Sequence, residues 1–233
     1  AGLIPGASEG LGLGNKFLDD LRHADVLIHV VDVSGTTNAK GETTTGYDPS
    51  NDIDWLRSEI HNWVYHNLHK KWDQVARRHI ATRATIVETL QLQLSGYGAS
   101  HRIILDLVTA LGPSYKPLDQ WDKDIDLKHV VDTFLNVRFP TIVALNKIDV
   151  ADADKNITKM ARKYDESMLV YVSALAEAFL RKMAKSGFIR YYEGTDRFDM
   201  AHEEEPPLEP ALKPVDEKMA QRLEKIRGAY FVI

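Results

Sequence analysis

"FPTIVALNKID", residues 139–149, is the stretch from which the fold is read. A short apolar run, Ile142 to Leu145, leads straight into the polar tetrapeptide Asn146-Lys147-Ile148-Asp149. Apolar runs that do not alternate are how a strand buried on both faces of a parallel sheet reads. Two more stretches carry the signature. In "DVLIHVVDVS", residues 25–34, six of the eight residues from Val26 to Val33 are aliphatic, and "SMLVYVSA" spans 167–174. Helical patterns precede the later two strands, "LKHVVDTFLNV" at 127–137 and "ADKNITKMARKY" at 153–164. Strands that alternate with helices predict an α/β fold with a parallel sheet and right-handed crossovers.

Between the first two strands lies a block of helical character. Ile53, Leu56, Ile60, Trp63, Val64 and Leu68 recur at helical spacing behind Asp48 or Ser50 as a cap. A second helix is expected over 70–94, and a third, "HRIILDLVTALG", ends at Gly112-Pro113. The tail changes again. "EEEPPLEP", residues 203–210, reads as an acidic, proline-rich linker, followed by a helix at 215–228 and the apolar fragment "AYFVI". The expected organisation is an α/β domain from 1–47 and 129–190, a helical insertion at 48–128, and a linker-plus-helix tail at 191–233.

Bulk composition narrows the function classes. A net charge of −5 over 233 residues gives no broad basic field for holding nucleic acid. The absence of cysteine excludes disulfides, thiolate metal sites and a cysteine nucleophile. No apolar run approaches the ~18 residues of a membrane span, and the chain does not open with a charged, then apolar, leader. A cytoplasmic protein with no membrane partner is the expectation.

The chemistry sits where two strands end. In an open α/β sheet, ligands bind beyond the carboxyl ends of the strands. A carboxylate at Asp149 can accept from both the ring N–H and the exocyclic amine of guanine, a donor pair that adenine lacks. A site demanding such a bond rejects a ligand without it by as much as about 10⁴–10⁵-fold. Asn146 can bridge the base edge and neighbouring loops, and the aliphatic stem of Lys147 can cover the base plane. At the next strand's end, Ser173 and Ala174 offer a backbone N–H, from Ala174, for the guanine carbonyl oxygen. Ser173 followed by Glu177 four residues on also suits a helix cap.

The chain opens "AGLIPGASEGLGLGNKFLDDLRHADVLIHVVD". With the insertion and the intact Asn-Lys-Ile-Asp, this closely resembles the Obg family of translation-associated GTPases, in its archaeal/eukaryotic YchF-related, OLA-like branch. The resemblance is strong over residues 1–47 and 140–177 and architectural elsewhere. It implies a partial P-loop-NTPase-type, three-layer parallel sheet with a helical insertion, binding GTP and GDP. It makes Gly2 the glycine that senses the γ-phosphate and Leu3 to Gly14 a mobile switch loop. Leu3 stands where many GTPases carry a water-orienting glutamine, so no catalytic residue is assigned. The resemblance further implies a ribosome or RNA partner, Mg²⁺ in the intact protein, and a TGS-like domain after the tail. No glycine in the chain is followed by lysine, so a phosphate loop of the Gly-Lys-Ser/Thr type is lacking. A truncated chain, inactive by itself, with that loop and the magnesium ligands upstream, is the expectation.

Two rivals stand beside this reading. Gly10-x-Gly12-x-Gly14 precedes a strand ending at Asp32, which suggests a dinucleotide-binding enzyme, but Pro5 and Gly6 occupy the place of the strand that fingerprint needs. The second rival is a non-enzymatic scaffold working through the insertion, where "HKKWDQVARRH" could face RNA. His61, His66 and His69 lack the carboxylate or cysteine that would complete a metal set, and Asp122, Asp124 and Asp126 lack the glycine and glutamate of a calcium loop.

Overall fold

A computed structural model describes residues 19–195, 197–203 and 210–230. The predicted α/β pattern is present. Three strands, β1 (Leu27–Asp32), β2 (Thr141–Asn146) and β3 (Leu169–Val172), form one sheet in the order β1-β2-β3. At one end the Leu27 amide donates to Pro140 O (2.9 Å); at the other the Val33 amide donates to Asn146 O (3.0 Å). Both chains advance by the same number of residues between these bonds, so the pair is parallel. A parallel pair needs a crossover rather than a hairpin. Five helices lie between β1 and β2: α1 (Ser50–His69), α2 (Trp72–Thr82), α3 (Ile86–Leu94), α4 (His101–Leu111) and α5 (Asp126–Arg138). One helix, α6 (Ala153–Lys163), lies between β2 and β3. Then follow α7 (Ala174–Lys185), an antiparallel hairpin of β4 (Ile189–Tyr191) and β5 (Phe198–Met200), and α8 (Glu217–Tyr230).

Three features differ from the sequence reading. The single helix expected over 70–94 is two helices. Arg83 takes a left-handed conformation (φ 52°) that ends α2, and Thr85 opens α3 with a capping box. The Thr85 Oγ1 accepts from the Glu88 amide (3.2 Å) while Glu88 Oε2 accepts from the Thr85 amide (2.7 Å). Second, β1 is not buried on both faces. Val31 is 1% exposed, but Ile28 and Val30 on the opposite face are 68% and 61% exposed. The aliphatic run is a true strand signal, but among the described residues only one of its faces is covered. Third, the sequence reading placed no strand at 198–200; the helix it expected at 215–228 is present, and most of its linker, 204–209, lies outside the described residues. The residues after 190 form β5 and carry α8 onto a shared core.

The described residues group into two compact units. One takes those up to His29, Thr37–Thr43 and Asp48–Val143; the other takes Val30–Thr36, Thr44–Tyr47 and those from Ala144 on.

The first unit is helical. Leu68, Leu90, Leu94, Ile104, Leu107 and Phe134 are fully buried at its centre. Helix α5 packs on α1 and α4, so the last helix before β2 shares the core of the insertion. Trp72 and Trp121 stack face to face, 5.7 Å between centroids. The Asp122–Asp126 stretch is a loop and a helix start: Asp122 Oδ1 accepts from the amides of Asp124 and Ile125, and Asp126 Oδ2 accepts from the Asp122 amide (2.6 Å). A buried guanidinium ties this unit together. Arg138, 6% exposed, donates to the carbonyls of Tyr97 (3.3 Å), Ala24 (2.7 Å) and Arg22 (2.5 Å).

The second unit has its own core. Leu180, Met183, Ile189, Phe198, Met200 and Leu223 are buried where α7, the hairpin and α8 meet. Arg227 on α8 clamps the hairpin. It donates to Glu203 Oε1 (2.7 Å) and Phe198 O (3.1 Å), with its guanidinium over the Phe198 ring.

Candidate functional site

The carboxyl ends of the three strands place the polar residues of the second unit side by side. Strand β2 ends at Asn146, and the chain turns sharply at Lys147, whose φ of 69° lies in the left-handed region. A non-glycine residue there is uncommon and persists when its surroundings hold it. Two bonds fix the turn. The Val150 amide donates to Lys147 O (3.2 Å), and the Ile148 amide donates to Val172 O at the end of β3 (3.4 Å). Ile148 is 5% exposed and anchors the loop. Its neighbour Asp149 is half-buried. Among the described residues the Asp149 carboxylate takes no hydrogen bond or ion pair.

At the end of β3, Ser173 is 1% exposed and caps α7, its Oγ accepting from the Ala176 amide (3.1 Å). The Ala174 amide donates to Asn146 Oδ1 (3.0 Å). Asn146 therefore bridges the ends of β2 and β3. The Ala174 N–H expected to meet a guanine oxygen is here engaged by Asn146. A groove of about 570 Å³ opens beside Asn146, Ser173 and Ala174, with Val30 and Val170 along it.

At the end of β1, Asp32 receives the Lys147 ammonium: Nζ to Oδ2 is 2.7 Å. The sequence reading weighed Asp32 only as a ribose-gripping acid. Here its carboxylate is taken up by Lys147 and by Ser34, so the dinucleotide reading loses its key residue. The signal that would have found the pair is its position, the last residue of a strand beside the one that carries the lysine loop. Thus Asn146, Lys147, Asp149, Ser173 and Ala174 come together, and Gly2 with the rest of the opening loop lies outside the described residues. Among the described residues, no three His, Asp or Glu side chains gather in a group that could hold a metal ion, and His69 is paired with Asp124 (3.1 Å).

Residues 144–232 match the family model described as "Obg-like GTPase YGR210-like, G4 motif-containing domain". The match begins two residues before Asn146. Over residues 144–232 the chain is therefore similar to the Obg-like GTPases. It is 52% identical, over 96% of its length, to an uncharacterised GTP-binding protein of Schizosaccharomyces pombe, of which it covers 53%. It is 40% identical over 83% of its length to another of Methanocaldococcus jannaschii, covering 48% of that protein. The GTPase Obg of Clostridioides difficile matches 37% of this chain at 38% identity, which is 17% of that GTPase. Among solved structures, a GTP-binding protein from Pyrococcus horikoshii superposes with a TM-score of 0.65 and 37% identity, covering 75% of the chain and 51% of that protein. The chain thus spans about half the length of these two curated relatives.

Proposed function

We propose that the second unit is the base-recognising part of a GTPase, converting GTP to GDP and phosphate in the complete protein. The observation that carries this is the Asp149 carboxylate, which has no protein partner among the described residues and stands beside the Asn146–Ala174 bridge at the ends of adjacent parallel strands. A carboxylate so placed can accept from N1–H and the 2-amino group of guanine together. Lys147 then offers its stem to the base face, and Asn146 or the Ala174 amide meets the base edge. Because Ala174 N–H is engaged by Asn146 in the structure, the base oxygen is expected to compete for that donor. Gly2 is proposed to contact the γ-phosphate.

The phosphate-binding segment is expected in sequence beyond these 233 residues, since no Gly-Lys pair occurs within them. Mg²⁺ belongs to that expectation too. The described residues form no metal-holding group, so no step is assigned through a metal. By itself the chain is expected to be inactive. Displacement of a fluorescent GDP analogue from the complete protein tests the reading. GTP and GDP displace it, ATP fails, and ITP, which lacks the 2-amino group, is weaker than GTP by about tenfold or more. Equal displacement by ATP and GTP overturns it.

A ribosomal or RNA partner is the second reading, and one observation favours it. Lys70, Lys71, Arg78 and Arg83 make no ion pair among the described residues, and Lys71 and Arg78 line a cleft of about 380 Å³ between α2 and α3. Ribosome pelleting that is salt-sensitive and lost on charge reversal at Arg77 and Arg78 supports it; pelleting unchanged by the reversal dismisses it. No helix among the described residues is long and apolar enough to cross a membrane, and a cytoplasmic location is part of the proposal.

A further inference from the structure

The Lys147–Asp32 pair suggests a role for a residue outside the polar loops. Lysine is a point charge on a flexible stem, and holding that stem in one place ahead of binding removes an ordering cost that the ligand would otherwise meet. Asp32 is built to do the holding. Its side chain is 21% exposed, against 46% for Lys147. One oxygen, Oδ2, takes the ammonium. The other, Oδ1, accepts from the Ser34 amide (3.0 Å) and the Ser34 hydroxyl (2.6 Å), so the carboxylate cannot swing away with the lysine. Ser34 is itself 6% exposed, and its Oγ meets Thr36 Oγ1 at 2.7 Å.

The segment behind these residues is pinned as well. The Val33 amide donates to Asn146 O, and Asn156 Nδ2 donates to Val33 O (2.8 Å). At Gly35 (φ 68°) an added Cβ would stand 3.0 Å from both Asn156 Nδ2 and Tyr47 O. A rigid anchor at the end of β1 therefore reaches Lys147, which is held at positive φ at the start of the β2 loop.

We propose that Asp32 is a positioning residue for the base: it fixes the Lys147 stem as a preformed wall beside Asp149, against which guanine packs. This rests on the guanine-site reading above. The route is Asp32 to Lys147 to base, and it predicts energetic coupling between the two side chains.

A double-mutant cycle in the complete protein tests this, read as GDP affinity with melting temperature alongside. Asp32→Asn keeps an acceptor for Ser34 and removes the charge that holds the ammonium. It is expected to weaken GDP binding roughly fivefold with little change in melting temperature. Lys147→Ala is expected to weaken it about tenfold. The double variant should bind like Lys147→Ala alone, since without the lysine Asp32 has nothing to position. Wild-type affinity in Asp32→Asn overturns the proposal. So does a fivefold loss that persists in the Lys147→Ala background, because that would place the effect in the Ser34 loop. If Asp32→Asn does not fold, Ser34→Ala replaces it. That change loosens the carboxylate without removing it, and its smaller loss must also vanish without Lys147. Asp149→Asn, run in parallel, separates the two levels. If base preference does not move in that variant, the guanine reading falls. If it moves while the cycle shows no coupling, only the role of Asp32 falls.

Discussion

Asp149→Asn in the complete protein should lower GTP affinity about a hundredfold or more and raise affinity for XTP. The carboxylate contributes two charge-assisted hydrogen bonds to guanine in the proposed site, and such bonds are about twice as strong as neutral ones. An asparagine keeps one acceptor for N1–H but turns an NH₂ group toward the 2-amino group, donor against donor. A desolvated donor left without an acceptor costs about 1–3 kcal/mol beyond the bond that is lost. Xanthine carries an oxygen at that position and accepts from the new amide, so the variant's preference should reverse. The side chain is half-buried and makes no bond within the described residues, so the fold should not respond. An unchanged melting temperature with reversed base preference is the expected pair of results. Unchanged GTP affinity would remove Asp149 from the site.

The second large effect is on stability. Arg138→Leu should destabilise the helical unit by about 3 kcal/mol or more. The guanidinium is 6% exposed and donates to three backbone carbonyls, those of Tyr97, Ala24 and Arg22. Burial pushes its pKa down, and the charge of Asp25 pushes the other way. Those carbonyls belong to segments far apart in sequence, and leucine leaves all of them without this donor at about 1–3 kcal/mol for each acceptor that water cannot reach. Gly98→Ala should disturb the same seam. Gly98 has φ 77°, and a Cβ there would meet the Arg22 carbonyl oxygen and the Arg138 guanidinium. All four tryptophans, Trp55, Trp63, Trp72 and Trp121, lie within this unit. Tryptophan fluorescence during urea unfolding therefore reads it directly. A midpoint equal to wild type in both variants would show that the Arg138 bonds contribute little.

Local chemistry made much of this structure legible. Each predicted strand encloses the observed one, because a parallel sheet demands aliphatic runs that turns and helices do not. The α5 and α6 patterns lie within about one residue of the helices observed, because their apolar residues recur at helical spacing. The break at Arg83 was hidden because the apolar spacing runs on through it and arginine is not a residue expected in the left-handed region. The Thr85–Glu88 capping box was the available sign. Strands β4 and β5 have three residues each, too few for alternation to show. The exposure of Ile28 and Val30 depends on which elements lie opposite, and so does the pairing of Asp32 with Lys147, across 115 residues of sequence. Motif spacing named the loop residues of the candidate site; only the sheet order shows which neighbour holds them.

The central claim is that Asp149 reads guanine, and a crystal structure of the complete protein with GDP tests it most directly. The Asp149 carboxylate oxygens should lie about 3 Å from N1 and the 2-amino nitrogen of the base, with the Lys147 stem along the ring face. A base bound elsewhere, or an Asp149 carboxylate turned away from it, would contradict the account.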